Sequence, residues 1–274
     1  MRNIAIGAAL KAGEKILEIY DRDFKIEIKD DSHSSPLTEA DTAAHNVICE
    51  ALKNTDIPIL SEESKELEYA DRENWSVFWL VDPLDGTKEF IKHNGEFTVN
   101  IALIENGKPT FGVVYAPVLD VLYVGDEILG AYKVIGASKS WDNIQEISCK
   151  EVGSKLEVIA SRSHLNDKTK DFVSSISDDF DDVDFVSKGS SLKLCMVADG
   201  SADVYPRIAP TMEWDTAAAH AVVSAAGGHV LQFSSKAAIG IDHPLVYNKP
   251  DLLNPYFIVC SSDILAKISG YEFN

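Results

Sequence analysis

Cysteine and positive charge are both scarce in this chain of 274 residues. The four cysteines, Cys49, Cys149, Cys195 and Cys260, are scattered and form no CxxC pair. That pattern favours buried thiols in a reducing compartment over a disulfide framework or a zinc site. The 25 Lys and Arg stand against 44 Asp and Glu, a formal net charge of −19. Such a balance repels polymeric nucleic acid and anionic lipid surfaces. It admits a small phosphorylated partner, provided that metal ions or a few placed basic side chains mediate the encounter. No apolar run approaches the ~20 residues that span a bilayer, and the first residues run straight into a helical pattern. An integral membrane segment is therefore not expected. Repeats, low-complexity tracts and a Pro/Ser-rich linker are also missing. What is present is ordinary for a globular protein: 45% hydrophobic and 25% charged residues, in a chain long enough for one large domain or two smaller ones.

Apolar residues at Ile4, Ala8, Ala12, Ile16 and Ile19 predict an amphipathic helix from Ile4 to about Tyr20. Phe24 to Lys29 alternates as a short strand. The stretch from Lys29 to Pro36 is polar and turn-rich, and Thr38 to Lys53 reads as a second helix with Thr38 as N-cap. Strand patterns follow at IPIL before Ser61, VFWLV before Asp82, FTVNIALI after Glu96, PTFGVVYAP and VLYVG. Their short links favour antiparallel pairing. Near residue 150 the pattern changes to alternation. LEVIAS, DFVSKGS and ADVYPR read as strands, and residues 167–176, 192–198 and 215–226 as helices, the last stopped by Gly227 and Gly228. The expectation is an α/β (α+β) protein: residues 1–150 carry helices and a largely antiparallel sheet, and residues 151–274 a mixed or parallel sheet between helices.

The strongest chemical signal is WLVDPLDGTKEF, where an apolar strand runs into Asp82-Pro83-Leu84-Asp85-Gly86-Thr87. Pro83 fixes one backbone angle and Gly86 permits a close turn. A helix starting near Thr87 would turn the free amides of Gly86 and Thr87 toward the carboxylates. Alone, DxxDG is usually a pair of caps. Two further acidic blocks change that balance. Ser61-Glu62-Glu63-Ser64 follows another short strand, and Asp215 in EWDTAAAHA reads as the N-cap of a helix whose alanines allow close packing. Carboxylates grouped beside a phosphate site make chemical sense with Mg²⁺ between them. No cysteine or Ser/His arrangement competes as a nucleophile, and His45, His93, His220 and His229 read as isolated surface or core residues.

SEES, DPLDGT and WDTAAAHA, together with SPLTEAD around Asp41, resemble in order and placement the motifs GEES, DPIDGT and WDxAA of the inositol-monophosphatase superfamily, over nearly the whole chain. Ser61 replaces the usual Gly. The resemblance implies the layered αβαβα sugar-phosphatase fold and a Mg²⁺ centre of two or three ions. Asp82 would bridge two ions, Glu62 and the Leu84 carbonyl would complete one, Asp85 and Asp215 would hold the other, and Glu63 would serve as an outer partner or third-ion ligand. It further implies that Thr87 and Asp41 orient and deprotonate the attacking water, that Gly86 and Thr87 face the phosphate, and that Li⁺ inhibits.

Within the superfamily, TKEF in LDGTKEFIKHNGEFTVNIALI resembles the bisphosphate-nucleotidase branch. So do Gly189-Ser190-Ser191-Leu192-Lys193 and Asp203-Val204-Tyr205-Pro206-Arg207. This branch implies 3′-phosphoadenosine 5′-phosphate as substrate, a link to sulfate assimilation and a cytoplasmic enzyme, free or peripheral to the inner membrane. His164, Ser190, Ser191, Lys193 and Arg207 are the expected nucleotide contacts, with Arg207 offering a planar fork to the 5′-phosphate. An inositol-phosphate phosphatase, or a non-catalytic nucleotide-binding regulator on the same fold, are the alternatives. Nothing in the sequence specifies an oligomer.

Overall fold

Alanine and isoleucine at helical spacing decide the face on which the first helix lies. The computed structural model describes residues 1–28, 36–64, 67–160, 167–233 and 243–268. Helix α1 (Arg2–Tyr20) buries Ala5, Ala8, Ala12, Ile16 and Ile19 along one stripe. A fully buried Ile contributes about 1.5–3 kcal/mol. Two short antiparallel strands, β1 (Ile26–Ile28) and β2 (Pro36–Thr38), lead into α2 (Glu39–Leu52). Thr38 caps α2 as expected: its hydroxyl accepts from the Ala40 amide at 3.2 Å, and Asp41 Oδ2 accepts from the Thr38 amide at 2.7 Å.

The first sheet runs in chain order through β3 (Ile59–Ser61), β4 (Val77–Asp85), β5 (Thr98–Glu105), β6 (Lys108–Ala116), β7 (Val121–Asp126), β8 (Gly130–Ile135) and β9 (Ile144–Glu146). Only the β3–β4 pairing is parallel. Two short helices, α3 (Tyr69–Arg72) and α4 (Thr87–Ile91), flank β4. Trp79, Val81, Val99 and Ile101 point into a core shared with α1 and α2. Phe78, Leu80, Ala102 and Ile104 point into another on the opposite side. Burial on both faces is why these strands read as apolar runs without alternation.

The second half comprises β10 (Lys155–Ile159), α5 (Asp167–Ser177), β11 (Asp182–Val186), α6 (Leu192–Ala198), β12 (Val204–Arg207), α7 (Glu213–Ala225), β13 (Gly228–Gln232), β14 (Phe257–Ser261) and α8 (Ser262–Ile268). Its sheet has the order β11-β10-β12-β14-β13. It is parallel where β10 meets β11 and β12 and antiparallel around β14. Helices α6 and α7 lie between the two sheets, while α5 and α8 cover the outer face of the second. The layers are thus αβαβα, as the sequence pattern and the resemblance led us to expect.

The alanines of α7 do allow close packing, but the sheet contributes as much. Gly112 and Gly125 are cross-strand partners on β6 and β7. A Cβ on Gly112 would sit 2.1 Å from the Ala218 carbonyl oxygen, and one on Gly125 would sit 2.4 Å from the Val222 Cα. The pair forms a trough that α7 fills. All four cysteines are free. Cys195 and Cys260 are buried as expected, whereas Cys49 and Cys149 are only half-buried.

Candidate active site and metal centre

In a regular strand, residues 82 and 85 would face opposite sides of the sheet. Here Asp82 pairs with Asn100 and Asp85 with Thr98, so three steps along β4 match two along β5. This is a β-bulge, and its extra residue returns Asp85 to the face of Asp82. Pro83 fits within the irregularity because it has no amide to offer the ladder. The Leu84 side chain is buried in the α1/α2 core, and its amide donates to Asp82 Oδ1 at 3.0 Å. Gly86, with φ of 94°, makes the left-handed turn into α4.

The third carboxylate arrives from the helix in the trough. Asp215 is not the N-cap of α7, as the sequence reading had it. Met212 holds that position, and Asp215 lies three residues on and accepts from the Met212 amide at 2.9 Å. The helix begins two residues earlier than expected because Glu213 and Trp214 form its first turn. Asp82, Asp85 and Asp215 each offer an oxygen, and these atoms lie within 4.8 Å of one another. Burial, followed by the charges of Glu62, Asp85 and Asp215, pushes the Asp82 carboxyl well above its usual range. Asp85 rises to about 6 through burial, against the opposing pull of Lys193 and the Ser191 amide. Asp215 is also raised well above the normal value, first by burial and then by Asp85. Glu62 follows β3, its amide bonded to the Val81 carbonyl at 3.0 Å, and its charge is felt by all three aspartates. Glu63 is the next residue on the same turn. Hard oxygen donors crowded to the point of mutual repulsion fit a divalent cation such as Mg²⁺.

On the other side of the bulge, Thr87 Oγ1 donates to Asp41 Oδ1 at 3.2 Å and also lies 3.4 Å from the Leu84 carbonyl. Asp41 is buried, and its second oxygen accepts from the Thr38 amide and, at 2.6 Å, from the Thr38 hydroxyl. Asp41 therefore stabilises the start of α2 while remaining bonded to Thr87.

A cavity of about 410 Å³ is lined among others by Glu89, Lys188, Lys193, Tyr205 and Arg207. It neighbours the carboxylates, because the charge of Lys193 acts on Asp85 and that of Arg207 on Asp215. Lys193 Nζ reaches the Lys188 carbonyl at 3.4 Å, and burial lowers its pKa while Asp85 raises it. Arg207 donates to the Pro210 carbonyl at 2.9 Å, and its buried Nε has no partner among the described residues. Ser190 is half-buried, at φ 48°. Ser191 faces inward: its amide donates to Asp85 Oδ2 at 2.6 Å and its hydroxyl to Asn100 Oδ1 at 2.8 Å. Its groups are thus engaged with the protein rather than turned to the cavity. His164 lies outside the described residues. Sequence reasoning passed over Glu96, which accepts from Lys188 Nζ at 3.1 Å and the Gly189 amide at 2.8 Å, and over Thr98 and Asn100. The available signal was two polar residues at alternate positions of an otherwise apolar strand.

The fold and this centre define a class. The model of the inositol monophosphatase family matches residues 1–268, and the chain belongs to that family. Among its members the chain is similar to the 3′(2′),5′-bisphosphate nucleotidase CysQ of Escherichia coli K12, with 44% identity over 254 residues, 92% of this chain and 96% of that one. The protein of the same name from Salmonella typhimurium is 45% identical over 253 residues, with the same coverage. The crystal structure of CysQ from Bacteroides thetaiotaomicron superposes with a TM-score of 0.82 at 47% identity, covering 95% of this chain and 96% of that one. No helix among the described residues is long and apolar enough to cross a membrane.

Proposed function

We propose that this chain is a Mg²⁺-dependent 3′(2′),5′-bisphosphate nucleotidase that hydrolyses 3′-phosphoadenosine 5′-phosphate to AMP and phosphate in the cytoplasm, beside sulfate assimilation. The observation that carries this reading is the adjacency of two features. Asp82, Asp85 and Asp215 converge within 4.8 Å, and Lys193 and Arg207 line the neighbouring cavity. One phosphate of the substrate can be cleaved at the first while the other is recognised at the second. The similarity to proteins named 3′(2′),5′-bisphosphate nucleotidase supports a nucleotide of that class as substrate.

Bound by Asp82, Asp85, Asp215, Glu62 and the Leu84 carbonyl, two Mg²⁺ ions, or three with Glu63, would supply positive charge to the phosphoryl oxygens and acidity to water. Thr87 donates its own proton to Asp41, so its oxygen is free to accept one from the attacking water. Asp41 is the proton's destination. Water adds to phosphorus and the P–O3′ bond breaks; the leaving ribose oxygen takes a proton from solvent water, and Asp41 returns the one it received to solvent, so that the protons balance. Arg207 and Lys193 bind the 5′-phosphate, and Gly86 lies against the reacting phosphate. We read residues 1–150 as the domain with most of the metal ligands and 151–274 as the domain with the nucleotide contacts and Asp215. Phosphate release should be measured in parallel from 3′-phosphoadenosine 5′-phosphate, inositol 1-phosphate and fructose 1,6-bisphosphate. The nucleotide should be preferred, EDTA should abolish turnover and Mg²⁺ restore it. Preference for inositol 1-phosphate would overturn the substrate, and no release from any of the three would overturn catalysis.

A further inference from the structure

Thr98 and Asn100 are fully buried polar residues within an apolar strand, and nothing in the reaction above uses them. Their cross-strand partners are the two aspartates of β4, Asp85 opposite Thr98 and Asp82 opposite Asn100. Directly opposed residues share a face of the sheet, so both polar residues lie on the carboxylate side.

From there they hold the loop that opens α6. Ser191 Oγ donates to Asn100 Oδ1 at 2.8 Å. Thr98 Oγ1 is 2.8 Å from Ser191 Oγ and 3.2 Å from Ser190 Oγ. With the Ser191 proton on Asn100, its oxygen accepts from Thr98, whose oxygen accepts in turn from Ser190. The hydroxyls thus form one directed chain ending at Asn100, and chains of this kind reinforce one another in a low-dielectric interior. Asn100 Nδ2 has no partner among the described residues and remains a buried donor on the same strand. The loop needs such fastening. Ser190 holds a left-handed φ of 48°, costly for a residue with a side chain, and a Cβ on Gly189 would sit only 2.6 Å from the Glu96 carbonyl oxygen. The backbone amide delivered by this loop is the one that donates to Asp85 Oδ2 at 2.6 Å.

We infer that Thr98 and Asn100 are positioning residues for the metal centre: by fixing Ser191 they make its amide hold Asp85 inside the carboxylate cluster. This rests on reading Asp82, Asp85 and Asp215 as the cation site. Partners one step removed from a metal commonly change affinity on the order of 10–100-fold.

The test is direct titration of EDTA-treated, dialysed protein with Mn²⁺, followed by electron paramagnetic resonance, with circular dichroism to confirm folding. Thr98→Val, Ser191→Ala and Asn100→Ala should each weaken Mn²⁺ binding by about tenfold or more. The double variant Ser191→Ala with Asn100→Ala should be no weaker than the worse single, because both break one linkage. Thr98→Ser keeps the hydroxyl and should restore parental affinity. Asp215→Asn separates the two readings. If that variant binds Mn²⁺ like the parent, the cation site itself is misassigned. If it loses binding while folded Thr98→Val, Ser191→Ala and Asn100→Ala retain parental affinity, the positioning role is overturned and the site stands. Equal weakening by Thr98→Ser and Thr98→Val would also overturn it, since packing and not the hydroxyl would then be responsible.

Discussion

Replacing Asp85 with Asn should make the metal-free protein more stable and the enzyme inactive. Burial among other acids raises the Asp85 carboxyl from 3.8 to about 6. Its proton is therefore held more tightly in the folded chain than in the unfolded one. The associated stability is fully present below about pH 4 and is lost as pH rises through about 6. At about 1.4 kcal/mol per unit, two units amount to about 3 kcal/mol at neutral pH, an upper bound because Asp85 is only half-buried and solvent screens part of it. Asp82 and Asp215 are raised in the same direction and add to the decline. An Asn at 85 keeps an oxygen for the Ser191 amide and removes the charge. Calorimetry in EDTA should show the parent melting lower at pH 8 than at pH 5. Asp85→Asn should flatten that slope and melt several degrees higher at pH 8, with about 2–4 °C per kcal/mol for a chain of this size. Mg²⁺ should raise the parent more than the variant. If Asp85→Asn in EDTA at pH 8 melts at or below the parent, the carboxylates do not repel one another as the geometry implies.

Three further outcomes are expected. Gly112→Ala places a methyl 2.1 Å from the Ala218 carbonyl oxygen, against ordinary contacts that begin at 3.4 Å, so α7 must retreat. Activity should fall by about a hundredfold as Asp215 moves with it, and stability by about 1–3 kcal/mol, read from kcat/KM and melting together. Thr87→Ala should lower kcat with KM little changed; a loss of about 1 kcal/mol in stability with kcat preserved would mean that Thr87 serves only the helix. Arg207→Ala should reduce kcat/KM for 3′-phosphoadenosine 5′-phosphate by about ten- to a hundredfold and leave adenosine 3′-monophosphate nearly untouched, and equal losses would place Arg207 at the reacting phosphate or in the framework.

Where a signal was local, the sequence conveyed it well. Thr38 announced α2 because capping is a contact between neighbours, and Gly227 with Gly228 marked the end of α7 for the same reason. The small residues from Ala217 to Ala219 implied close packing, but Gly112 and Gly125, far away in the chain, were the other half of that contact and left no readable trace. Strands β8, β9, β13 and β14 escaped notice for related reasons. The first two are short and partly exposed, and FIVCS in β14 is an apolar run too brief to separate strand from helix. At the site, the acidic blocks were visible as motifs, whereas the job of Ser191 was not. Hydroxyls beside a helix start suggest anion binding, and only the fold brings Asp85 and Asn100 close enough to take them.

The extra residue in β4 turns the spacing of the acidic motif into a matter of phase. A second insertion between Asp82 and Asp85 would rotate the latter toward α1 and α2, placing a carboxylate among alanines and isoleucines. Deleting Leu84 would leave both acids on one face of a straight strand but erase the bend, and with it the carbonyl that stands near Thr87. Two strands therefore have to be read together: acids three apart on one, answered by small polar residues two apart on the next, as Asp82 and Asp85 are answered by Asn100 and Thr98. That paired count can be looked for in chains whose acidic motif alone is too short to be recognised.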